Sequence, residues 1–231
     1  MTPPNWVFND LHIEGSAEDI QKVKAQLNKP YTRTSENFKG EFSTTLYDNP
    51  IISFRNIISP PEDKMEEYEG MHGFDKGEKQ GETPFNWYNF NNREWGTKWD
   101  IGVSNEEKYS DTQLVSETET SLHYAFQTAW SAPLPAIEKL SQQHPELEIT
   151  LKYEEEQGWG GEIQWDKEGS TILDEYDIPE SHADYKERDI LDRCVCNNSD
   201  DPEDWYSDCP KEKPIELHAK RDVIQLTDKS I

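Results

Sequence analysis

The feature that most constrains the fold is a strand pattern that gives way to a helix pattern and then returns, over residues 122–153. Apolar residues alternate with polar ones over 122–128, which predicts a strand with one packed face. Prolines at 133 and 135 fit the first turn of a helix, and a His-Pro pair ends that helix at 144–145. Alternation returns over 148–153, and a glycine-rich turn leads to a hairpin partner that ends at Trp165. We therefore expect a β-α-β unit followed by a hairpin.

A second unit of the same kind precedes it in the chain. Residues 6–13 alternate in part and predict a strand, and Ser16 is a good N-cap for the helix that follows. That helix carries one apolar stripe and ends before Pro30. The apolar run at 51–58, closed by two prolines, predicts the second strand of this unit.

Two β-α-β units in tandem predict an α+β fold of the ferredoxin-like sandwich type, with an antiparallel sheet and its helices on one face. We expect this core over residues 1–166, interrupted by an acidic insertion at about 62–94 in which only a short helix near 65–68 is indicated. Residues 99–103 alternate and predict a further strand. Residues 167–231 form an acidic C-terminal appendage with three cysteines, an edge strand at 169–176 and some helical character at 181–193.

The charge of the chain limits its partners. It has 23 basic and 48 acidic residues, a net charge of −25, which disfavours direct binding to nucleic acid. A protein with a basic surface is the easier partner, and the alternative is that the acidity only maintains solubility. The chain has no apolar stretch of about 18 residues and no signal-peptide pattern at its start, so we expect a cytosolic protein without a membrane span.

A group of tryptophans and polar residues is the first candidate site. One interpretation is a polar pocket in which indoles stack a ligand beside a lysine. The other is structural, with the aspartate pairing the lysine or capping a turn while the indoles fill the interface between sheet and helices. The group consists of Trp95, Thr97, Lys98, Trp99, Asp100, Thr128 and Trp130.

Two acid-rich stretches are the second candidate. They are either solvated loops or an array of carboxylates that imitates DNA phosphates and binds a basic host protein. Their residues are Glu62, Asp63, Glu66, Glu67 and Glu69 in the first stretch and Asp200, Asp201, Glu203 and Asp204 in the second.

Metal and enzyme chemistry receive little support. Cys194, Cys196, Cys209 and His218 form a weak Cys3His zinc pattern because the Cys-x2-Cys spacing is absent, and reduced thiols without a cofactor are the alternative we favour. His12 and His123 lie on predicted strands and could meet across the sheet, although isolated histidines there are more often plain surface residues. Metalloprotease, hydrolase-elbow and phosphate-loop motifs are missing from the sequence, so we expect no enzyme activity.

The chain resembles the YubB-type ferredoxin-like proteins carried by phages and plasmids, a domain family of unknown function. The likeness rests on Asn5-Trp6, the Ile-Ile-Ser-Pro-Pro run at 57–61, the segment 95–100 and the segment 126–135, and it covers roughly residues 4–166. This resemblance implies a ferredoxin-like fold and a mobile-element origin, and it supplies no mechanism.

Together these observations predict a non-enzymatic, phage- or plasmid-type acidic protein. It would engage, and through DNA mimicry or otherwise inhibit, a host protein such as a defence or nucleic-acid enzyme. The alternative is a small-ligand or nucleotide binder that uses the tryptophan-lined face. The sequence leaves the oligomeric state open.

Overall fold

A computed structural model describes residues 5–36, 39–70, 85–101 and 112–194. The chain divides into two compact units. The first comprises residues up to Glu155 together with Gly160–Glu175, and the second comprises Glu156–Trp159 and the residues from Tyr176 onward. In the described residues, no helix is both long enough and apolar enough to cross a membrane.

The regular elements follow one another as strands interrupted by short helices. The strands are β1 (Trp6–Glu14), β2 (Tyr31–Glu36), β3 (Phe42–Tyr47), β4 (Thr112–Glu117), β5 (Ser121–Ala129), β6 (Glu148–Glu155), β7 (Gly160–Asp166) and β8 (Gly169–Tyr176). The α-helices are α1 (Ala17–Leu27), α2 (Met65–Glu69), α3 (Trp87–Phe90), α4 (Leu134–Gln143) and α5 (His182–Glu187). Single turns of 3-10 helix cover Phe54–Asn56, Glu62–Lys64 and Leu191–Arg193, and a π-helical turn covers Asn91–Trp95.

The first unit is built on a six-stranded sheet in the order β4-β5-β1-β6-β7-β8. Its first four strands interleave two β-α-β units, β1-α1-β4 and β5-α4-β6, with β1 antiparallel to both β5 and β6. This arrangement confirms the predicted α+β, ferredoxin-like sandwich. β7 and β8 extend the sheet beyond β6.

The core lies between one face of this sheet and the helices α1 and α4. Alternate residues of β1, β5 and β6 are buried, as the period of two in a strand requires. From α1, Ile20, Val23 and Leu27 are fully buried, and each such side chain stabilises the fold by about 1.5–3 kcal/mol. Ser16 caps α1 by accepting a hydrogen bond from the Asp19 amide, as predicted.

The predicted strand at 51–58 is wrong. This segment is a buried turn around the 3-10 helix Phe54–Asn56, with Ile52, Phe54 and Ile57 in the core. The run is apolar because it is packed on several sides, which periodicity alone cannot separate from a buried strand. The strand expected there is supplied by β4, sixty residues later, at the edge of the sheet.

The strand predicted at 99–103 is not found in the residues that the structure describes. Trp99 and Asp100 are in irregular structure, Ile101 is not part of a strand, and the remaining residues of the predicted strand lie outside the described residues. β2 and β3, which were not predicted, form a separate two-stranded sheet between α1 and the buried turn.

The insertion at about 62–94 is more closely packed than its composition suggests. The short helix predicted at 65–68 exists as α2, and its Tyr68 is buried. Phe90 and Asn91 are also buried, and the Tyr68 hydroxyl donates to Asn91 Oδ1 at 2.9 Å. These residues therefore belong to the core of the first unit, whereas residues 71–84 lie outside the described residues.

The second unit contains α5 and a small apolar cluster. Tyr185 and Cys194 are buried together, with Ile190 packed against them. The Arg188 guanidinium lies 4.3 Å from the centre of the Tyr176 ring, and its Nη1 donates to the carbonyl of Asp177 at 3.1 Å.

Candidate functional site

Trp95 fills the core and offers no surface to a ligand. Only 1% of it is exposed, and its Nε1 donates to the Ile58 carbonyl at 2.9 Å. The rings of Phe54, Tyr68 and Phe90 pack around it with centroids 5.8–6.4 Å away. Such a ring, buried with its N–H satisfied, stabilises the fold and is not a stacking platform.

The hydroxyl groups of Thr97 and Thr128 donate hydrogen bonds to the backbone at the end of β5. Thr97 Oγ1 donates to the Ala129 carbonyl at 3.0 Å, and Thr128 Oγ1 donates to the Ser131 carbonyl at 2.8 Å. Asn9, buried on β1, donates from Nδ2 to Thr128 Oγ1 at 3.0 Å. These buried hydrogen bonds fix the end of β5 to the turn that follows Trp95.

Asp100 is a capping residue. Its Oδ2 accepts from Ser53 Oγ at 2.6 Å, and its Oδ1 accepts from the amides of Phe54 at 2.8 Å and Ile101 at 2.7 Å. The carboxylate thus satisfies the Phe54 amide. The amides of Ile52, Asn56, Ile57 and Ile58 donate to carbonyls within residues 50–54, so this segment does not need a strand partner. The sequence left two structural roles open for Asp100, an ion pair with Lys98 and a turn cap, and the geometry supports the cap.

Lys98, Trp99 and Trp130 form a lysine–indole clamp. The Lys98 ammonium lies 4.6 Å from the centre of the Trp99 ring and 4.2 Å from that of Trp130, distances at which cation–π attraction operates. Burial lowers the pKa of Lys98. The Trp6 ring packs against Trp99 with centroids 6.1 Å apart, and the Tyr88 ring packs against Trp130 with centroids 6.5 Å apart.

Trp130 stands out within the clamp because of its backbone and its exposure. Its φ is 74°, in the left-handed region that bulky side chains rarely adopt, and 43% of it is exposed. Its amide donates to the Asn5 carbonyl at 2.9 Å, which holds it in this conformation. The clamp is therefore the part of the tryptophan group that a ligand can reach.

The face of the sheet opposite α1 and α4 carries a second set of candidate side chains. On this face β1, β6 and β7 present carboxylates at alternate positions, and we refer to them as the acidic sheet face. Its members are Asp10, Glu14, Glu148, Glu154 and Glu162. Phe8 lies on the same face of β1 and is 41% exposed.

Register places these carboxylates next to one another. Glu14 lies directly opposite Glu148, and both are exposed. Asp10 lies opposite Lys152, which lies opposite Glu162 on its other side. The six strands contain ten acidic residues, and Lys152 is their only lysine or arginine. Because acidic residues are depleted in strands, this bias marks the sheet as the acidic surface of the unit.

The two strand histidines meet on this face, which was the less favoured of the two interpretations from sequence. His12 and His123 are cross-strand partners whose rings stack with centroids 4.0 Å apart. His123 Nε2 lies 2.9 Å from Asp10 Oδ1. Burial and then the neighbouring His123 lower the pKa of His12, against the opposing effect of Asp10, Glu14 and Glu162.

The acidic residues that the sequence singled out lie elsewhere and are not equivalent. Glu62, Asp63, Glu66 and Glu67 are exposed in and before α2. Glu69 is not part of an accessible surface, because its Oε1 lies 3.2 Å from Arg55 Nη2 and the two side chains are only 12% and 10% exposed. Asp200, Asp201, Glu203 and Asp204 lie outside the described residues.

The proposed zinc ligands can be followed only in part. Cys194 is buried, and its Sγ lies 3.6 Å from His182 Nδ1. Cys196, Cys209 and His218 lie outside the described residues, so the zinc hypothesis stays a prediction. Within the described residues, no group of three or more His, Cys, Asp and Glu side chains could hold a metal ion.

The acidic sheet face was not predicted, because the acidic residues singled out in the sequence were those in continuous acid-rich stretches. The signal was present as single carboxylates alternating with buried apolar residues, as in β6, where Glu148 and Glu154 flank the apolar positions 149, 151 and 153. Alternation shows that such residues share a face within one strand. Only the register between strands shows that they form one surface.

Comparison with known proteins supports the fold. Residues 98–193 match a family model described as a ferredoxin-like domain in Api92-like protein. This part of the chain, from Lys98 to the turn after α5, is thus similar to a ferredoxin-like domain family of unknown function. Searches of curated proteins and of solved structures found no match.

Proposed function

We propose that this chain is a non-enzymatic binding protein whose acidic sheet face docks on a basic surface of a partner protein. In this proposal it is a phage- or plasmid-type protein that acts in the host cytoplasm. There it inhibits a defence or nucleic-acid enzyme, with DNA mimicry as its mode of action. The observation that carries the proposal is the in-register pair of exposed carboxylates, Glu14 and Glu148.

That pair is informative because it does not help the fold. Like charges directly opposite each other on neighbouring strands destabilise a sheet, by a fraction of a kcal/mol to about 1 kcal/mol. Glu162 and Glu154 add further negative charge to the same face, where Lys152 is the only lysine or arginine among the six strands of the sheet. A face that concentrates one sign of charge raises the association rate with a partner of opposite sign.

The ferredoxin-like sheet supports a binding role, and the negative charge of the acidic sheet face favours a basic partner. Sheets of this kind bind RNA in other proteins through exposed aromatic rings with basic residues nearby. Here Phe8 is exposed, but carboxylates take the place of the basic residues. A polyanion is therefore repelled, whereas a protein that itself binds a polyanion is attracted.

The test is a comparison of two triple variants that remove the same charge from different places. The sheet-face variant is Glu14→Gln with Glu148→Gln and Glu162→Gln. The control, called the α2 control, is Glu62→Gln in the 3-10 turn before α2 with Glu66→Gln and Glu67→Gln on α2. Both are used with the wild-type chain to capture proteins from bacterial lysate at low salt, with identification by mass spectrometry. We expect basic proteins to be retained by the wild type and the α2 control and lost by the sheet-face variant.

Equal retention by the sheet-face variant, or loss with the α2 control alone, would overturn the assignment of the sheet face. Displacement of a captured protein by duplex DNA would support the mimicry mode. Retention that resists DNA would show that the partner is bound away from its nucleic-acid surface.

A second candidate function is the binding of a nucleotide or another planar anion at the lysine–indole clamp. The observation that favours it is Trp130, which is exposed and is held in left-handed backbone, a strained conformation that is common at functional sites. A planar ring could stack on the indole while Lys98 meets its charge. Quenching of tryptophan fluorescence by nucleotides, abolished in Lys98→Ala, would support this function, and a flat titration with every nucleotide would exclude it.

A further inference from the structure

The outer edge of β8 is an exposed edge of the six-stranded sheet. β8 is the last strand of the sheet, and no described strand pairs with its outer side. Residues 169–175 are exposed on both faces, including Ile172 at 63% and Leu173 at 50%. A strand edge offers unpaired N–H and C=O groups in a row, and apolar side chains on such an edge favour pairing with another chain.

The opposite edge of the sheet, formed by β4, has features that prevent pairing with another strand. β4 has a bulge between Leu114 and Ser116, and its Glu117 is bonded to Lys24 of α1 at 2.6 Å. Bulges and charges are common devices that prevent strands from pairing at an edge. The centre of β8, from Ser170 to Leu173, is uncharged and contains neither a proline nor a glycine.

We propose that the partner of this edge is the β8 strand of a second copy of the chain, paired antiparallel about a two-fold axis. Residues directly opposite each other in an antiparallel pair share a face, so a two-fold register must pair positions of the same parity. The register in which Ile172 faces itself also places Thr171 opposite Leu173 and Ser170 opposite Asp174. No acidic residue then faces another acidic residue.

The neighbouring registers are less favourable. A shift that places Leu173 opposite itself brings Ile172 against Asp174, and one that centres on Asp174 brings two carboxylates together. Like charges or an apolar and a charged side chain in direct opposition destabilise a sheet. The sequence of β8 thus favours registers centred before Leu173, and among these the one through Ile172 brings the two isoleucines together.

This pairing has a consequence for the acidic sheet face. A two-fold axis perpendicular to the sheet joins the two sheets of six strands into one and keeps the two acidic sheet faces on the same side. The dimer would present two acidic sheet faces to one partner, which raises the effective concentration of the second contact. The self-association does not depend on the proposed function and can be tested without any partner.

Salt dependence separates the two interactions. Each chain carries a net charge of −25, so two copies repel each other, and added salt screens that repulsion. Self-association through β8 therefore strengthens as salt rises, whereas binding of the acidic sheet face to a basic partner weakens. If self-association through β8 is not observed, binding of the basic partner can still be measured, and the reverse also holds.

Sedimentation velocity of the full chain over a range of concentrations tests the proposal. We expect a monomer–dimer equilibrium that Ile172→Lys weakens by at least about tenfold, because two ammonium groups would then face each other. Ile178→Lys is the matched control, since Ile178 is also an exposed isoleucine but lies outside β8, and it should associate like the wild type. A mixture of Ile172→Lys and Ile172→Glu chains should restore dimers, because the register places these two side chains opposite each other.

Three results would overturn the proposal. They are a wild-type chain that stays monomeric at every concentration and salt, an Ile172→Lys variant that associates like the wild type, and an equal loss in the Ile178→Lys control. Circular dichroism spectra of each variant confirm that the fold is retained before the comparison is made.

Discussion

At the scale of single residues, Asp100 has the clearest structural role of any member of the tryptophan group. One carboxylate accepts hydrogen bonds from Ser53, Phe54 and Ile101, and so connects the start of the buried turn to the chain after Trp99. Sequence reasoning gave two structural options for this residue and could not choose between them. The choice depends on a turn 46 residues away in the chain, whose position only the fold shows.

Replacing Asp100 with Asn should destabilise the protein by about 1–3 kcal/mol, because the amide group cannot accept at both of its atoms and one buried donor loses its partner. Urea unfolding measures the change in the free energy of unfolding. Asp63→Asn removes the same charge from an exposed position and should stay within about 0.5 kcal/mol of the wild type. A similarly small effect at Asp100 would show that its hydrogen bonds contribute little.

The histidines should make stability depend on pH in a defined direction. Burial lowers the pKa of His144 below its ordinary 6.5, so the unfolded chain binds the proton more readily than the folded one. The stability associated with this group is complete above about pH 6.5 and is lost as pH falls through that value. His144→Gln should therefore lose less stability between pH 7.5 and 5.5 than the wild type does, as measured by urea unfolding at each pH. Parallel curves for the two proteins would contradict this.

At the scale of elements, the sequence predicted those whose pattern comes from one sheet face and one helix face. β1, α1, β5, α4 and β6 all lie close to their predicted positions. The strand expected at 51–58 failed because its burial comes from several neighbours at once. β4 was missed because four of its six residues are polar and its alternation is broken by the bulge.

Two glycines with positive φ allow the packing of α4 to be tested. A Cβ at Gly96 (φ 80°) would collide with Pro135 in the first turn of α4, whereas one at Gly169 (φ 128°) would meet nothing within 4 Å. Both alanine variants carry the cost of an unfavourable backbone. Gly96→Ala should in addition lose about 1–2 kcal/mol through overpacking. Thermal unfolding of the two variants side by side measures the difference, and equal losses would mean that α4 moves to accommodate the methyl group.

At the scale of the whole molecule, the net charge of −25 was read directly from composition, but its distribution was not. Composition suggested the acid-rich stretches, and the structure shows that one of their members, Glu69, is paired with Arg55. The sheet face became visible only when the register brought Glu14 and Glu148 together. Alternation within one strand shows only which residues share a face, and the register between strands is needed to show one surface, which is why the fold was predictable and the candidate site was not.

The central claim is that the acidic sheet face is the binding surface, and the salt dependence of the dissociation constant tests it most directly. For a captured basic partner, the constant is measured from about 50 to 300 mM salt with the wild type, the sheet-face triple variant and the α2 triple variant. We predict that the wild type and the α2 variant weaken steeply and with the same slope. The sheet-face variant should bind more weakly at low salt and with a shallower slope, because fewer ion pairs are screened. A sheet-face variant with the slope and affinity of the wild type would contradict the account.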